Sequence, residues 1–289
     1  MPAETVAAPG PAVPAGPAAR CEGVVRIYSS PTGEVHALKG VDVTVPAGRT
    51  TALTGPSGSG KSSLLRILAA QDRPTAGHAE VAGRSLVGLS ARGLRALRRR
   101  HIGYVFARPT DNLLRHLTAA EHLATAARLR HVPRGEAREE ADHLLELLGL
   151  TARADHRPGQ MSGGEQQRLA FAQAVVGRPA LVVADEPTGE LDTATTHDLL
   201  AAVRALTATG TSVLMATHDP LAVEASDHAL HLRSGTVAHE LLDGRRLAVV
   251  DADGRLQLPD DALAALGAAG TTRVVVEATP DGVVVRRAT

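Results

Sequence analysis

The sequence predicts an α/β fold, in which buried parallel strands bring their carboxyl ends to one edge of a sheet. Three stretches of the 289-residue chain predict it. Gly55-Pro56-Ser57-Gly58-Ser59-Gly60-Lys61-Ser62-Ser63 lies between a short strand, Thr50 to Leu53, and a helix that starts at Leu64-Leu65-Arg66-Ile67-Leu68. Leu181-Val182-Val183-Ala184 is an apolar strand that runs into Asp185-Glu186-Pro187. Ser212-Val213-Leu214-Met215-Ala216 is a second such strand, and it runs into Thr217-His218-Asp219.

Composition narrows the class. Thirty-one basic and 31 acidic residues cancel, so net charge points to no nucleic-acid partner. Tyr28, Tyr104, Phe106 and Phe171 are the only aromatics, which leaves the core to Leu, Val, Ile and Ala. Cys21 is alone; no internal disulfide can form, and a reducing cytoplasm fits. No apolar run approaches bilayer-crossing length, so any action at a membrane is expected to go through a partner.

Taken in order, the first residues are mostly Pro, Ala and Gly, without the basic start and unbroken apolar run of a signal peptide. Residues 1–21 read as a disordered or polyproline-like tail, with order beginning near Gly23. From Gly23 to Gly83 the pattern is strand-rich: Val24 to Tyr28 is one candidate, and Val41-Asp42-Val43-Thr44-Val45 alternates as a half-buried strand does. Pro46-Ala47-Gly48 marks a turn. Tyr28 reads either as core or as a flat surface for adenine.

The stretch from Gly55 matches G-x-x-x-x-G-K-[ST], the phosphate-binding loop. Its glycines let the backbone curl so that N–H groups point inward at phosphate oxygens, and the positive end of the following helix adds to them. Lys61 is expected to reach the β- and γ-phosphates, and Ser62 to hold Mg²⁺ through its hydroxyl.

From about Leu89 to Gln160 the chain reads as mainly helical. Arg92, Arg95, Arg98, Arg99 and Arg100 form a basic run that reads as a solvated helix face, since no aromatic is interleaved for stacking on bases. Leu144 to Leu148 closes an amphipathic helix at Gly149. In Met161-Ser162-Gly163-Gly164-Glu165-Gln166-Gln167-Arg168, Ser162 and Glu165 have capping-box spacing, and the two glycines beside a helix start also suit a second anion site. Both readings stand at this point.

Asp185 and Glu186 fall where open α/β sheets place their ligands. Asp185 is expected to hold Mg²⁺ through water, and Glu186 to orient and activate an attacking water. His218 falls at the same sheet edge.

The phosphate loop, Ser162-Gly163-Gly164-Glu165-Gln166, Asp185-Glu186-Pro187-Thr188-Gly189, Gly189-Glu190-Leu191-Asp192 and Thr217-His218-Asp219 together resemble the ATPase subunit of an ABC transporter, from about residue 22 to 240. Thr32-Gly33-Glu34-Val35-His36-Ala37-Leu38 is similar in flavour to the lipoprotein-releasing and macrolide-export subfamily, whose permeases carry a large extracytoplasmic domain. The resemblance implies a phosphate-loop ATPase fold with a mixed core sheet, an antiparallel β subdomain and an inserted helical subdomain over about 90–176. It implies ATP and Mg²⁺ as cofactors, and a second copy of the chain facing the first head to tail. Each ATP would lie between Lys61 of one copy and Ser162-Gly163-Gly164 of the other, with Tyr28 on adenine, Asp192 at the seam and His218 at the γ-phosphate. It also implies a permease partner and a peripheral place on the inner face of the cell membrane.

Two positions depart from that pattern. After Ile102-Gly103-Tyr104-Val105-Phe106 the family places a Gln that touches Mg²⁺ and the attacking water; here stands Ala107, and no Gln occurs between Gln71 and Gln160. A methyl group neither ligates nor hydrogen-bonds, so hydrolysis is expected to be slow or less tightly coupled. Gln173 stands where an Arg is more usual.

Residues 244–289 read as a separate β-rich unit: a strand at 247–251, a turn at Asp253-Gly254, a strand at 255–259, a short helix from Asp260 to Leu266, then Val274 to Glu277 and Val283 to Val285 around Asp281-Gly282. The run resembles the swapped-hairpin domains of AbrB-type transcription factors, which implies a dimerisation or regulatory appendage; a plain terminal β-extension packing on the ATPase stays open beside it. From Gly244 onward six Arg face six acids, so no basic face is predicted. Two other functions stay open: a weakly hydrolysing module for signalling or force transmission, and a DNA-associated ATPase of the same class. The latter group inserts long coiled coils, and only a helical stretch of ordinary length intervenes here.

Overall fold

The computed structural model describes residues 16–31, 33–242, 245–250, 254, 256, 258, 260–267, 274–279 and 282–287. Its first unit is an antiparallel sheet. Strand β1 (Ala19–Ser30) and β2 (Gly33–Val45) form a long hairpin, with Ala19 opposite Val45. The chain then leaves through β3 (Thr50–Thr54) and helix α1 (Lys61–Leu68), returns as β4 (Ala76–Val81) on the other edge of β1, and adds the short β5 (Arg84–Ser85).

Order therefore begins before Gly23. Pairing on both edges satisfies the backbone of β1 from Ala19 onward, and Ala18, Ala19 and Cys21 are buried beneath it. Of the tail expected over 1–21, residues 1–15 lie outside the described residues. Burial pushes the Cys21 thiol up to about 12, with Asp42 adding to the shift, which leaves it inert at neutral pH.

The second unit carries the main sheet. Helix α2 (Ala91–His101) leads into β6 (Ile102–Val105), followed by α3 (Pro109–Asn112), α4 (Ala119–Arg130), α5 (Arg134–Leu147) and α6 (Gly163–Val175). Then come β7 (Leu181–Asp185), α7 (Thr193–Ala208), β8 (Ser212–Ala216), α8 (Pro220–Glu224), β9 (His228–Arg233), β10 (Thr236–Leu242) and β11 (Arg245–Ala248). The sheet order is β11-β10-β9-β3-β8-β7-β6. Strands β9, β3, β8, β7 and β6 are mutually parallel, while β10 pairs antiparallel with β9 on one side and β11 on the other, so the sheet is mixed.

The stretch read as helical from Leu89 to Gln160 contains a strand. β6 pairs with β7, and α6 lies so close that a Cβ on Gly103 would meet the Ala174 carbonyl oxygen at 2.3 Å. Only a glycine allows that approach, which spacing alone did not reveal. The helical insertion is thus α3 to α6, and the inserted subdomain begins later than residue 90.

Alternation along the parallel strands builds three layers. Leu181 and Val183 of β7, with Leu214 and Ala216 of β8, face the antiparallel sheet and α1. Val182 and Ala184, with Val213 and Met215, face Phe171, Leu169 and Leu199 on the helical side. Among the described residues no helix is long and apolar enough to cross a membrane.

The boundary drawn at 244 also shifts. β11 pairs with β10 from His239 opposite Ala248 to Leu242 opposite Arg245, so it is the edge strand of the main sheet and not the start of a separate unit. Beyond it, α9 (Asp260–Ala265) precedes a hairpin of β12 (Val274–Thr279) and β13 (Gly282–Arg287). The strand expected over 255–259 and the turns at 253 and 281 fall mostly outside the described residues. Val274, Val275, Val276 and Val283 of the hairpin are exposed.

Candidate functional site

Parallel register puts four loops on one edge. Leu53 of β3 and Asp185 of β7 both lie opposite Ala216 of β8, and Val105 of β6 lies opposite Ala184. The next residues in the chain are Thr54-Gly55, Glu186, Thr217-His218 and Phe106-Ala107. They rise side by side at the carboxyl ends of the strands, as expected for an α/β sheet.

The phosphate loop is built on close approaches. A Cβ on Gly55 (φ 137°) would sit 2.1 Å from the Leu232 carbonyl oxygen, and one on Gly60 (φ 108°) 2.6 Å from that of Ala37. Both positions demand glycine twice over, for conformation and for space. Ser57 and Gly58 are exposed, and so is Ser62 on the first turn of α1, with Ser63 half-buried beside it. Gly60 caps α1 without any side-chain bond, which leaves the helix's first N–H groups to another acceptor. Lys61 Nζ donates to the loop's own carbonyls, Gly55 O at 2.6 Å and Pro56 O at 3.2 Å. Ser59 is buried, and its Oγ has no hydrogen-bond partner among the described residues. A cradle of donors around glycine-made space fits a polyphosphate.

Across the edge, Asp185 is half-buried. Burial raises its pKa, Glu186 raises it further, and Arg66 and Lys61 pull it back. Two oxygens suited to a hard cation, the Ser62 hydroxyl and the Asp185 carboxylate, thus flank the loop, and a cation there would relieve the repulsion at Asp185. Glu186 adopts φ 47°, a left-handed conformation rare for a residue with a side chain. Its N–H donates to Ala216 O at 2.9 Å, and its Oε2 lies 2.8 Å from His218 Nδ1 and accepts from the His218 N–H at 3.3 Å. Strain at a carboxylate held this way is of the kind found at reactive sites. His218 itself is 76% exposed.

Other predicted residues stand apart from this edge. Tyr28 belongs to neither core cluster: it is half-buried, with the Arg26 guanidinium 4.2 Å over its ring and its hydroxyl donating to Asp72 Oδ2 at 3.0 Å. The capping reading of Ser162 is realised in full. Ser162 Oγ accepts from the Glu165 N–H at 3.2 Å, and Glu165 Oε2 accepts from the Ser162 N–H at 2.8 Å. That Ser162 N–H bond, helped by Arg153 at 2.8 Å, holds the Glu165 carboxyl below its usual range. Ser162 and Gly163 remain exposed, while a Cβ on Gly164 would strike Thr195 Cγ2 at 2.0 Å. Asp192 caps α7, accepting from the Thr195 N–H at 2.8 Å, so Gly164 and Asp192 meet at one spot through Thr195. Among the described residues, no hydrogen bond or ion pair joins this spot to the phosphate loop of the same chain.

The basic run is a face of α2. Arg92, Arg95 and Arg99 are exposed and line a groove of about 840 Å³ with Leu114 and Leu129, away from the phosphate loop. Sequence reasoning gave no role to Arg66, to Thr188, whose Oγ1 is buried without a partner, or to Asn112. Thr188 lay inside a motif already singled out; Asn112 carried no signal.

A phosphate cradle beside paired carboxylates at the end of a parallel strand defines the class of protein: a phosphate-loop ATPase. Residues 38–189 match the ABC transporter family model. The chain is 41% identical over 221 residues to the lipoprotein-releasing system ATP-binding protein LolD of Bordetella pertussis, covering 76% of this chain and 95% of that one. It is 40% identical over 214 residues to the macrolide export ATP-binding/permease protein MacB of Hyphomonas neptunium, covering 74% of this chain and 33% of that one. Among solved structures, the ATP-binding cassette MJ0796, as a dimer in a post-hydrolysis state bound to ADP and Pi, superposes with a TM-score of 0.69 at 31% identity, over 78% of this chain and 98% of that one. The chain belongs to the ABC transporter ATPases, and its fold and function are those of an ATP-binding subunit that energises a transporter.

Proposed function

We propose that two copies of this chain close head to tail around two ATP molecules and drive a permease of the large extracytoplasmic-domain type from the inner face of the membrane. What carries the reading is the shared edge of β3, β7 and β8, where the phosphate loop meets Asp185, Glu186 and His218. That no hydrogen bond or ion pair among the described residues joins Ser162-Gly163-Gly164 or Asp192 to the phosphate loop of the same chain supports a site completed by the other copy. LolD, named for a lipoprotein-releasing system, and MacB, named as an ATP-binding/permease protein of macrolide export, support a permease partner.

In this reading Lys61 turns from its own carbonyls to the β- and γ-phosphates, while the N–H groups of residues 57–63 wrap the chain of phosphates. Ser62 and Asp185 hold Mg²⁺, which supplies charge to the phosphate oxygens when bound. Tyr28, steadied by Arg26 and Asp72, receives the adenine. Glu186, fixed by His218, takes the proton of the attacking water, and His218 presents its remaining ring nitrogen toward the γ-phosphate. Water adds to the γ-phosphorus, the bond to the bridging oxygen breaks, and ADP and phosphate leave. The missing amide at Ala107 makes this step slow or weakly coupled. For the permease, the groove beside Arg92, Arg95 and Arg99 offers cations next to exposed Leu114 and Leu129, a match for an acidic amphipathic segment.

Lys61→Ala tests the site. Charge-assisted bonds contribute about 1.5 to 3 kcal/mol each, so Mg-ATP affinity is expected to fall about ten- to a hundredfold. Equal affinity of variant and parent in an equilibrium titration would sink the assignment.

The segment beyond β11 is proposed as a self-association unit. A lone two-stranded hairpin is marginally stable in water, and the exposed valines of β12 and β13 invite pairing with another copy. Ending the chain at Gly267 should then convert a nucleotide-free dimer into a monomer by light scattering; an unchanged mass excludes the hairpin from association.

A further inference from the structure

The loop that carries Ala107 is tied shut by one side chain. Asn112 Oδ1 accepts from the Phe106 N–H at 2.8 Å, and its Nδ2 donates to the carbonyl oxygens of Phe106 and Arg108, both at 3.0 Å. Only this orientation of the carboxamide satisfies all three partners, because a flip would set Oδ1 against two carbonyl oxygens. The loop is also fixed from outside. Pro109, buried at the first turn of α3, constrains the backbone, and Gln173 Nε2 of α6 donates to Asn112 O at 3.4 Å. Phe106 stacks edge-on against Tyr104, with ring centroids 4.6 Å apart. Ala107 itself is exposed, and no hydrogen bond is made by its N–H or C=O among the described residues. Thus the residues on both sides of Ala107 are bound, and its own peptide groups are left without a hydrogen bond among the described residues, on the loop that follows β6 at the sheet edge.

We propose that Asn112 is a positioning residue for ATP hydrolysis: its carboxamide clasps residues 106–108 and holds the Ala107 peptide at the nucleotide edge, in place of a mobile polar side chain. The inference rests on the reading of that edge as the ATP site. Of the two positions that depart from the family pattern, Gln173 bonds to the backbone of Asn112, and Ala107 lies between Phe106 and Arg108, the two residues that the Asn112 side chain binds. Geometry at a reacting centre is sensitive to such braces, since a displacement of about 1 Å can cost on the order of a hundredfold in rate.

Asn112→Asp and Asn112→Ala test the clasp in the full-length chain. Asp has the shape of Asn and keeps the acceptor for the Phe106 N–H, but it sets a carboxylate oxygen against two carbonyls. Both variants are expected to lower kcat by about tenfold or more with KM for ATP within about twofold of the parent. Amide exchange at Phe106, whose N–H donates to Asn112 Oδ1, is expected to quicken at least about tenfold in Asn112→Ala, which removes that acceptor, when read by mass spectrometry without nucleotide. A kcat within twofold of the parent in either variant overturns the proposal; parental turnover in Asn112→Asp alone would mean that side-chain volume matters, not its donors. Unchanged exchange overturns the clasp whatever the rates. A parent that binds no ATP refutes the site reading instead, and the exchange measurement then decides the clasp by itself.

Discussion

Glu186→Gln is expected to bind Mg-ATP like the parent and to lose turnover by about a hundredfold to ten-thousandfold, the range for removal of a general base. The replacement keeps shape and a hydrogen-bonding oxygen, so His218 at 2.8 Å retains a partner and the left-handed backbone at φ 47° is not disturbed further. What goes is the ability to take a proton from water. It also removes the charge that raises the pKa of Asp185, which eases the site rather than unfolding it. With hydrolysis blocked and binding intact, the closed dimer should accumulate with ATP; in the chain ended at Gly267, a monomer without nucleotide, it should be visible by light scattering. If the variant hydrolyses ATP at the parental rate, Glu186 is not the base, and His218 becomes the residue to replace.

Ala107→Gln is expected to act in the opposite direction. A single ligand or water-positioning group commonly contributes tenfold to a thousandfold in rate, or about 1.4 to 4 kcal/mol of barrier. Ala107 is exposed and does not pack, so the longer side chain has room. Val105 of β6 lies opposite Ala184 of β7, so Ala107 follows the end of β6 by two residues as Glu186 follows Ala184 on β7. Steady-state turnover of the purified subunit, or of its complex with the permease, should rise with little change in ATP affinity. No rise in either setting means that the absent amide does not limit this enzyme; the path that Pro109 and Asn112 impose on the loop would then be what matters.

These two variants stand differently toward the sequence. Glu186 was legible at once, because an apolar run ending in paired acids defines a buried strand and its ligand edge together. Its φ of 47° and its bond to His218 were not, since neither a backbone angle nor a partner 32 residues away leaves a trace in local pattern. The glycines of the phosphate loop were legible as a cradle from their spacing before Lys61. Their need for space came from Leu232 and Ala37, which only the folded chain brings near.

Elsewhere the same division holds. Val24 to Tyr28 could be read as a strand from its apolar content, but the strand starts at Ala19 because two partners, β2 and β4, pair with it. β6 was lost inside a helical stretch, for four residues are too few to show a period, and β7 on one edge makes them a strand. The basic run on α2 was recognised as a helix face; that it borders a groove with Leu114 and Leu129 depends on how α2, α4 and α6 pack. Asn112 is the sharpest case, an unremarked polar residue that becomes the clasp of the Ala107 loop through three bonds to atoms four to six residues away.

By itself, then, the sequence determined the chemistry of this protein: which residues can wrap phosphate, carry a cation or activate water, and the strands and helices that bear them. Those are properties of residue type and short-range spacing, set by covalent geometry and local periodicity. Only the tertiary structure decided which of them share an edge, which are strained, and which are held by others. Such facts arise from long-range pairing and close packing, where a contact depends on every element that holds its two sides in place.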